Sequence, residues 1–334
     1  MPETIELGSS ESAAARCAPA VTVLMSVRDV PVAMLAQAVE SILEQTFDDF
    51  DFLIYDDGGQ DRSVLAALER YSARDARIVL KRHEPSRGLT KTLNLGLGDA
   101  QGRYVARQDA DDWSEPERLR KQVAYLEAHP GVAVCGSNAW MHQERGARLW
   151  ATNLPQDSLA IQAALPAGNP FVHGATMFRT KIARAIGGYR EAFVCSQDYD
   201  FFWRLCDRGG GANLAEPLYH YRYRRGAVSA QRATDQAQVH QATQALAWAR
   251  KSGLDADVDA ALEEAARQLK ETPHALGAFL KQADHRLLAG DYGGSLRSYV
   301  ALLWRHPASA LAWGKLLRWL IFRAAPGARE RCFG

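Results

Sequence analysis

The densest chemistry in the chain is Asp109-Ala110-Asp111-Asp112, three carboxylates within four residues. Placed this close, they repel one another unless solvent or a cation relieves them. On an extended backbone Asp109 and Asp111 project the same way. Hard oxygen ligands so arranged suit Mg²⁺ or Mn²⁺, ions commonly shared with substrate phosphates. An EF-hand is excluded, because Trp113 stands where a further ligand is needed and no glycine follows. A solvated acidic loop is the plain alternative. A second cluster reads Asp56-Asp57-Gly58-Gly59. Turn chemistry alone accounts for it, but a carboxylate at a strand end also accepts hydrogen bonds from the edge of a nucleotide base. Gln197-Asp198-Tyr199-Asp200 opens an apolar helical run, where Asp198 can cap the helix or act as a general base. His173 is equally two-sided: a structural histidine, or a proton carrier with an ordinary pKa near neutrality.

These residues need a frame. Val21–Val27 is a β-rich run, followed by a helical pattern from Pro31 to about Gln45. Phe52–Tyr55 is a second strand ending in the first acidic cluster, and a helix from about Ser63 to Tyr71 follows. A strand at Arg77–Lys81, a helix at Leu89–Leu97 and a strand at Tyr104–Ala106 lead into the second cluster. Pro116 suits an early position of a helix running to about Ala128, and Val132–Cys135 is a further strand. Strands alternating with helices at this spacing form βαβ units and a mainly parallel sheet. Ligands of such sheets bind beyond the carboxyl ends of the strands. Both acidic clusters directly follow strands, so both are expected on that rim.

From about Gln231 alanine, leucine and glutamine dominate and no strand is evident. Several helices are expected there, broken near Gly253, Pro273, Gly290 and Pro307, with a tetratricopeptide-like hairpin over Ala283–Leu317. Three domains follow: a flexible leader over 1–20, an α/β domain over 21–230 and an all-helical extension over 231–334. The last part is basic, with eight Lys/Arg against two acids from His285 to Gly334 and Trp304, Trp313 and Trp319 interleaved. An amphipathic basic helix with tryptophans can lie on an anionic membrane. A solvated basic face with its tryptophans in the core is the other reading.

Composition and missing motifs exclude much. The chain has 334 residues, 47% hydrophobic and 24% charged, as folded soluble proteins do. Forty basic against 39 acidic residues argue against a nucleic-acid binder. Five scattered cysteines without a C-x-x-C disfavour a disulfide framework or zinc finger and fit a reducing cytosol. Residues 1–20 carry three glutamates and no apolar segment, which excludes a signal peptide. No apolar run approaches the roughly 20 residues that span a bilayer. Gly88-Leu89-Thr90-Lys91-Thr92 lacks the Gly-Lys pair of a P-loop. Gly96, Gly98 and Gly102 have the wrong spacing for a dinucleotide fingerprint. Neither G-x-S-x-G nor H-E-x-x-H occurs.

Taken in order, strand–DDGG, strand–DADD, a His with Gly, QDYDFFWRL and a Tyr/Arg-rich segment resemble the family 2 glycosyltransferases of GT-A fold. The resemblance covers about Val21 to Ser229. It includes Ser41-Ile42-Leu43-Glu44-Gln45-Thr46-Phe47, Gly102-Arg103-Tyr104-Val105-Ala106-Arg107-Gln108-Asp109, Pro116-Glu117-Arg118-Leu119, Asn169-Pro170-Phe171-Val172-His173 and Gly187-Gly188-Tyr189-Arg190.

The resemblance implies a nucleotide-binding sheet with Asp57 on the nucleotide base, Asp109 facing the ribose and Asp111 on a divalent metal, Mn²⁺ or Mg²⁺, held by the diphosphate. It makes Asp198 the general base of an inverting transfer, with Asp200 and Arg204 as structural support. Arg222 and Arg224 are phosphate candidates, and His173 joins the nucleotide-sugar site. There are departures. The family's Tyr-Asn after the first strand is Arg28-Asp29 here, its DDGS is DDGG, and Arg87 stands before Gly88 where Asn is common. The late Tyr-Arg-x-His reads Tyr221-Arg222-Tyr223-Arg224. Asp29 and Arg87 are therefore counted with the nucleotide-sugar residues. The expected donor is a nucleotide-diphospho sugar, UDP-linked, and the acceptor a saccharide or lipid-linked saccharide of cell-surface polysaccharide or glycolipid synthesis. A cytoplasmic location is expected, with peripheral contact at the inner face of the cell membrane. The alternatives are a degenerate binding or scaffold subunit and a sugar nucleotidyltransferase. The latter calls for a Gly-rich basic loop after the first strand, which Arg28-Asp29-Val30-Pro31 does not provide.

Overall fold

A computed structural model of the chain describes residues 5–6, 18–225, 233–271, 275–305 and 309–324. In chain order the first part forms β1 (Ile5–Glu6), β2 (Val21–Val27), α1 (Val32–Leu43), β3 (Phe50–Asp56), α2 (Arg62–Arg74), β4 (Ile78–Arg82), α3 (Leu89–Asp99), β5 (Tyr104–Asp109), β6 (Trp113–Ser114) and α4 (Arg118–Ala128). It continues through β7 (Val132–His142), β8 (Arg148–Ala151), α5 (Ser158–Ala164), β9 (Met177–Arg179), α6 (Thr180–Ala185), α7 (Gln197–Arg208) and β10 (Gly210–Arg222).

The strand order is β1-β4-β3-β2-β5-β9-β7-β10-β6, with β8 paired to β7. The run β4-β3-β2-β5 is parallel, and β1, β9, β8 and β6 add antiparallel. The sheet is thus a parallel centre with antiparallel flanks. β2 reads VTVLMSV, apolar without alternation, and is buried along nearly its whole length, as a central strand covered on both faces must be. α1 buries Leu35, Ala38, Val39 and Ile42, the i, i+3, i+4, i+7 stripe of a helix laid on a sheet. The Leu35, Val39 and Ile42 side chains each contribute roughly 1.5–3 kcal/mol by burial. α2 begins at Asp61, whose carboxylate accepts from the Ser63 amide at 2.9 Å.

Register puts both acidic clusters at the same rim. Val27 lies opposite Asp56 and Ser26 lies opposite Asp109, so the end of β2 stands between them. Two expectations change in detail. Pro116 precedes α4, which starts at Arg118. The strand expected over Val132–Cys135 runs on to His142. Of the expected leader, Ile5–Glu6 pairs with Lys81 and Arg82; residues 1–4 and 7–17 lie outside the described residues.

The chain divides into two compact units, Met1–Ala139 with Leu154–His220, and Trp140–Asn153 with Tyr221–Gly334. In the second, α8 (Ala233–Lys251), α9 (Val258–Glu271), α10 (Ala275–Leu288), α11 (Tyr292–Arg305) and α12 (Ala310–Ala324) follow one another. The α10–α11 turn carries Gly290 at φ +85°, and Asp291 caps α11 by accepting from the Gly294 amide at 3.0 Å. Leu280, Ala283, Tyr299, Leu302 and Leu303 form its core, with Leu316 and Trp319 packed against them. The hairpin Trp140–Asn153 belongs to this unit, and its Gln143 donates to the Tyr292 hydroxyl at 3.0 Å. This division groups Trp140–Asn153 and Tyr221–Arg225 with the helices, whereas the sequence expectation put a boundary at 230/231. Among the described residues no helix is long and apolar enough to cross a membrane.

Candidate active site

β5 ends at Asp109, so the DADD cluster begins inside the strand and turns out of it. Arg107, two residues earlier, points the same way and is fully buried. Its Nη2 donates to Asp109 Oδ1 at 2.7 Å and its Nε to His173 Nε2 at 3.2 Å. Its Nη1 donates to the Leu24 and Gln108 carbonyls. One guanidinium thus fixes a carboxylate, a histidine and the neighbouring strand. The loop itself is braced by Gln108, whose amide nitrogen donates to the carbonyls of Asp109 (3.0 Å) and Asp112 (3.1 Å).

β10 supplies the other wall. It pairs with β6 through Tyr219 opposite Ser114, which delivers the Tyr219 hydroxyl to the loop. That hydroxyl donates to Asp112 Oδ2 at 3.1 Å and accepts from the Asp109 amide at 3.2 Å. Asp112 is therefore a structural tie, while Asp109 and Asp111 remain half-exposed. Burial raises the Asp109 pKa, and the Asp111 charge adds to this against the opposing pull of Arg107 and Arg118. A buried carboxylate with a second carboxylate charge beside it is a natural place for a cation. Among the described residues no three His, Cys, Asp or Glu side chains form a metal-binding group. Asp109 and Asp111 fit an ion that takes its remaining oxygens from phosphate and water, the usual habit of Mg²⁺.

His173 follows Val172 in a single 3₁₀ turn, His173–Ala175. Its Nε2 accepts from Arg107 and lies 3.1 Å from the Tyr189 hydroxyl, which leaves the ring proton on Nδ1. Burial, reinforced by the Arg107 charge, holds its pKa well below the ordinary value. Of the two sequence readings of His173, this favours the neutral ring over the proton carrier.

Asp198 lies in the first turn of α7, entered through Ser196 at φ 49°. Its Oδ2 accepts from Asn169 Nδ2 at 2.7 Å. Burial lifts its pKa to about 6, with the Asp109 charge adding to the rise and the first-turn amides and Asn169 opposing it. Asp200, two residues further along the helix, is buried and holds Arg190 (2.5 Å) and Arg204 (2.8 Å). Asp109 thus links these groups: Arg107 joins it to His173, the Asp111 charge acts on it, and its own charge acts on Asp198.

The DDGG cluster is a separate piece of the rim. Asp57 is 2% exposed. Its Oδ1 accepts from the Arg87 amide (2.7 Å) and Thr92 Oγ1 (3.0 Å), and its Oδ2 from Ser86 Oγ (2.9 Å) and the Gly88 amide (3.0 Å). Four donors of the chain occupy the four acceptor positions of this carboxylate. Gly58, at φ +69°, makes the close approach possible, since a Cβ there would sit 2.7 Å from the Ser86 amide. Asp29 is an exposed residue at φ 46° beside this turn, accepting from the Gln60 amide at 3.4 Å. Arg28 Nη1 donates to Ser86 Oγ at 3.0 Å, and the Arg87 side chain is half-buried. Arg222 is buried and Arg224 half-buried, and both belong to the second unit.

Sequence reasoning missed Arg107, Gln108, Asn169 and Tyr219 as site residues. Only Arg107 carried a signal, a charge inside an apolar strand, where charges are rarely buried unpaired.

Residues 22–187 match glycosyl transferase family 2. EpsE of Bacillus subtilis is 35% identical over 207 residues, which span 61% of this chain and 73% of EpsE. The chain belongs to glycosyltransferase family 2. This glycosyltransferase is also 32% identical over 189 residues to the amylovoran biosynthesis glycosyltransferase AmsE of Erwinia amylovora, covering 56% of this chain and 70% of AmsE. In fold it is similar to S. aureus TarS 1–349, solved in complex with UDP, with TM-score 0.56 at 15% identity over 87% of this chain and 92% of TarS. It is similar too to the mannosyltransferase PcManGT of Pyrobaculum calidifontis, solved with GDP-Man and Mn²⁺, with TM-score 0.53 at 17% identity over 94% of this chain and 82% of the other. The GT-A expectation for the α/β part is met.

Proposed function

We propose that this glycosyltransferase moves a sugar from a nucleoside-diphosphate sugar to an acceptor hydroxyl with inversion, using Asp198 as its general base. The observation that carries the reading is the geometry around Asp198: a carboxylate at a helix N-terminus, held by Asn169 at 2.7 Å and lifted to about 6 by burial. Such a group is largely ionised at neutral pH yet basic enough to take a proton from a hydroxyl as its oxygen attacks. A positioned base is typically worth about 10²- to 10⁴-fold in rate. One base and a single displacement give inversion at the anomeric carbon.

Asp109 and Asp111 would hold Mg²⁺ or Mn²⁺ together with the diphosphate. Such an ion supplies positive charge to a leaving group that becomes more negative as the anomeric bond breaks. The neutral His173 offers its Nδ1–H to the donor, and Arg107 keeps it oriented. Asp57 serves the nucleotide through the 86–88 loop that it fixes. A base that met the carboxylate directly would have to displace one of its four present partners. Asp29 and Arg87 border this part of the pocket. Arg222 and Arg224 are assigned to phosphate on the sequence pattern alone. The relatives' polysaccharide roles support a saccharide or lipid-linked saccharide acceptor. UDP-linked sugars are the first donors to test, since TarS has been solved with UDP and with UDP-GlcNAc, and GDP-linked sugars the second.

Calorimetric titration with UDP and GDP, each with Mn²⁺ and with EDTA, tests the donor site. Metal-dependent binding of one nucleotide, lost in Asp111→Ala and kept in Asp198→Asn, is the expected outcome, with sugar transfer abolished in both variants. Equal binding with EDTA would remove the metal from the reading. Full transfer by Asp198→Asn would remove the base.

A further inference from the structure

We propose that the exposed face of α12, together with Trp304 at the end of α11, is a docking surface for an anionic lipid bilayer. α12 reads ALAWGKLLRWLIFRA. Leu316 and Trp319 turn toward the helical core. Leu317 and Leu320, with Trp313 at the matching i, i+4, i+7 spacing, lie on the other side, each more than half exposed, as is Leu311. Trp304 is 86% exposed. The sequence alternative that placed these tryptophans in the core therefore holds for Trp319 and fails for Trp304 and Trp313. A contiguous apolar stripe of this kind on a water-facing helix marks an interaction surface.

Charge identifies the occupant. From His285 to Gly334 eight Lys/Arg stand against two acids, in a chain whose overall balance is +1; of the eight, Lys315 is ion-paired with Asp284. A second copy of this chain laid on the same face would bring two such basic segments together, and like charges would oppose the contact. An anionic lipid surface attracts the charge and takes up the apolar side chains. Tryptophan and leucine with interspersed Lys/Arg are the composition of helices that lie in the headgroup region. α12 has 15 residues, short of the roughly 20 that cross a bilayer, so it lies flat. The proposal does not depend on the roles given to Asp198 or Asp111. It adds that an acceptor carried on a lipid would meet the enzyme at the surface where the enzyme already rests.

The test is co-sedimentation of the full chain with vesicles of phosphatidylcholine alone and of phosphatidylcholine with equimolar phosphatidylglycerol, at low and high salt. Binding to the anionic vesicles only, weakened by salt and accompanied by a blue shift of tryptophan emission, is expected. Trp304→Ser/Leu317→Ser/Leu320→Ser replaces exposed side chains and should lower vesicle partition by about tenfold or more, with nucleotide binding unchanged. A wild-type chain that binds nucleotide but ignores anionic vesicles at low salt overturns the proposal. So does a triple variant that binds vesicles as wild type does. So does a chain that self-associates through this face, with the variant monomeric and vesicle binding absent in both.

Discussion

Asn169 Nδ2 donates to Asp198 Oδ2 across 2.7 Å, and this bond is one of the few forces that favour the ionised form of a carboxylate otherwise raised by burial. Asn169 Oδ1 also accepts from the Phe171 amide at 3.1 Å, which fixes the side-chain amide so that its NH₂ faces Asp198. Removing it has a definite sign. Asn169→Ala should move the acid limb of the kcat–pH profile upward from about 6 and lower kcat at pH 7 by several-fold or more. Donor binding should change less. A profile with an unmoved acid limb would separate Asn169 from the base.

The same raised pKa has a consequence for stability. Asp198 ionises near its ordinary 3.8 in the unfolded chain and near 6 in the folded one. Its contribution is fully present below the unfolded value and is lost as pH rises through the folded value. Asp198→Asn stays neutral and lacks this loss. The variant should therefore gain on wild type between about pH 4 and pH 7, by about 1 to 3 kcal/mol. Paired denaturant titrations across that range measure it. Parallel curves for the two proteins would mean that burial does not penalise Asp198.

The first half of the sheet was legible because its strands announce themselves. β2 and β3 are mostly apolar runs, and β3 and β5 each end where an acidic cluster begins. β9 and β10 were not read at all. β9 has three residues, and β10 reads GGANLAEPLYHYR, with glycine and proline where strand formers are expected. Both are antiparallel additions defined by what they pair with. The carboxylates of the site were visible through their order along the chain. Arg107 was not, because its partners lie 66 and 83 positions away at His173 and Leu24, and a lone sequence carries no trace of such contacts. Asp57 shows the opposite limit: its position was legible, but its four internal partners were not.

Those four partners make Asp57→Asn informative. An amide offers one acceptor oxygen and turns an NH₂ toward donors that the carboxylate satisfied. At least one backbone N–H of the Arg87–Gly88 segment then loses its acceptor. The expected cost is about 1–3 kcal/mol of stability, with weaker nucleotide binding following from a loosened 86–88 loop. Thermal unfolding and nucleotide titration on the same variant check both. Lost affinity at an unchanged Tm would instead assign the carboxylate to direct contact with the base.

Gly174 marks a close approach between the His173–Ala175 turn and Tyr219 of β10. A Cβ at that position would lie 2.0 Å from the Tyr219 hydroxyl oxygen and 2.8 Å from Asp109 Oδ2. Tyr219 cannot yield cheaply, since it is fully buried and its hydroxyl is held between Asp112 Oδ2 and the Asp109 amide. A methyl group must therefore push the hydroxyl off the DADD loop or push the His173–Ala175 turn away from it. Either movement displaces Asp109 or His173 by a substantial part of an ångström, and misplacement of about 1 Å at a reacting centre can cost on the order of 100-fold in rate. Gly174→Ala should accordingly lose activity on that scale and bind metal and nucleotide more weakly, while Gly98→Ala, which meets nothing within 4 Å, should retain both. Steady-state kinetics and a Mn²⁺ titration of nucleotide affinity on the two variants provide the comparison. Wild-type metal affinity in Gly174→Ala would mean that Tyr219 does not set the position of the carboxylates.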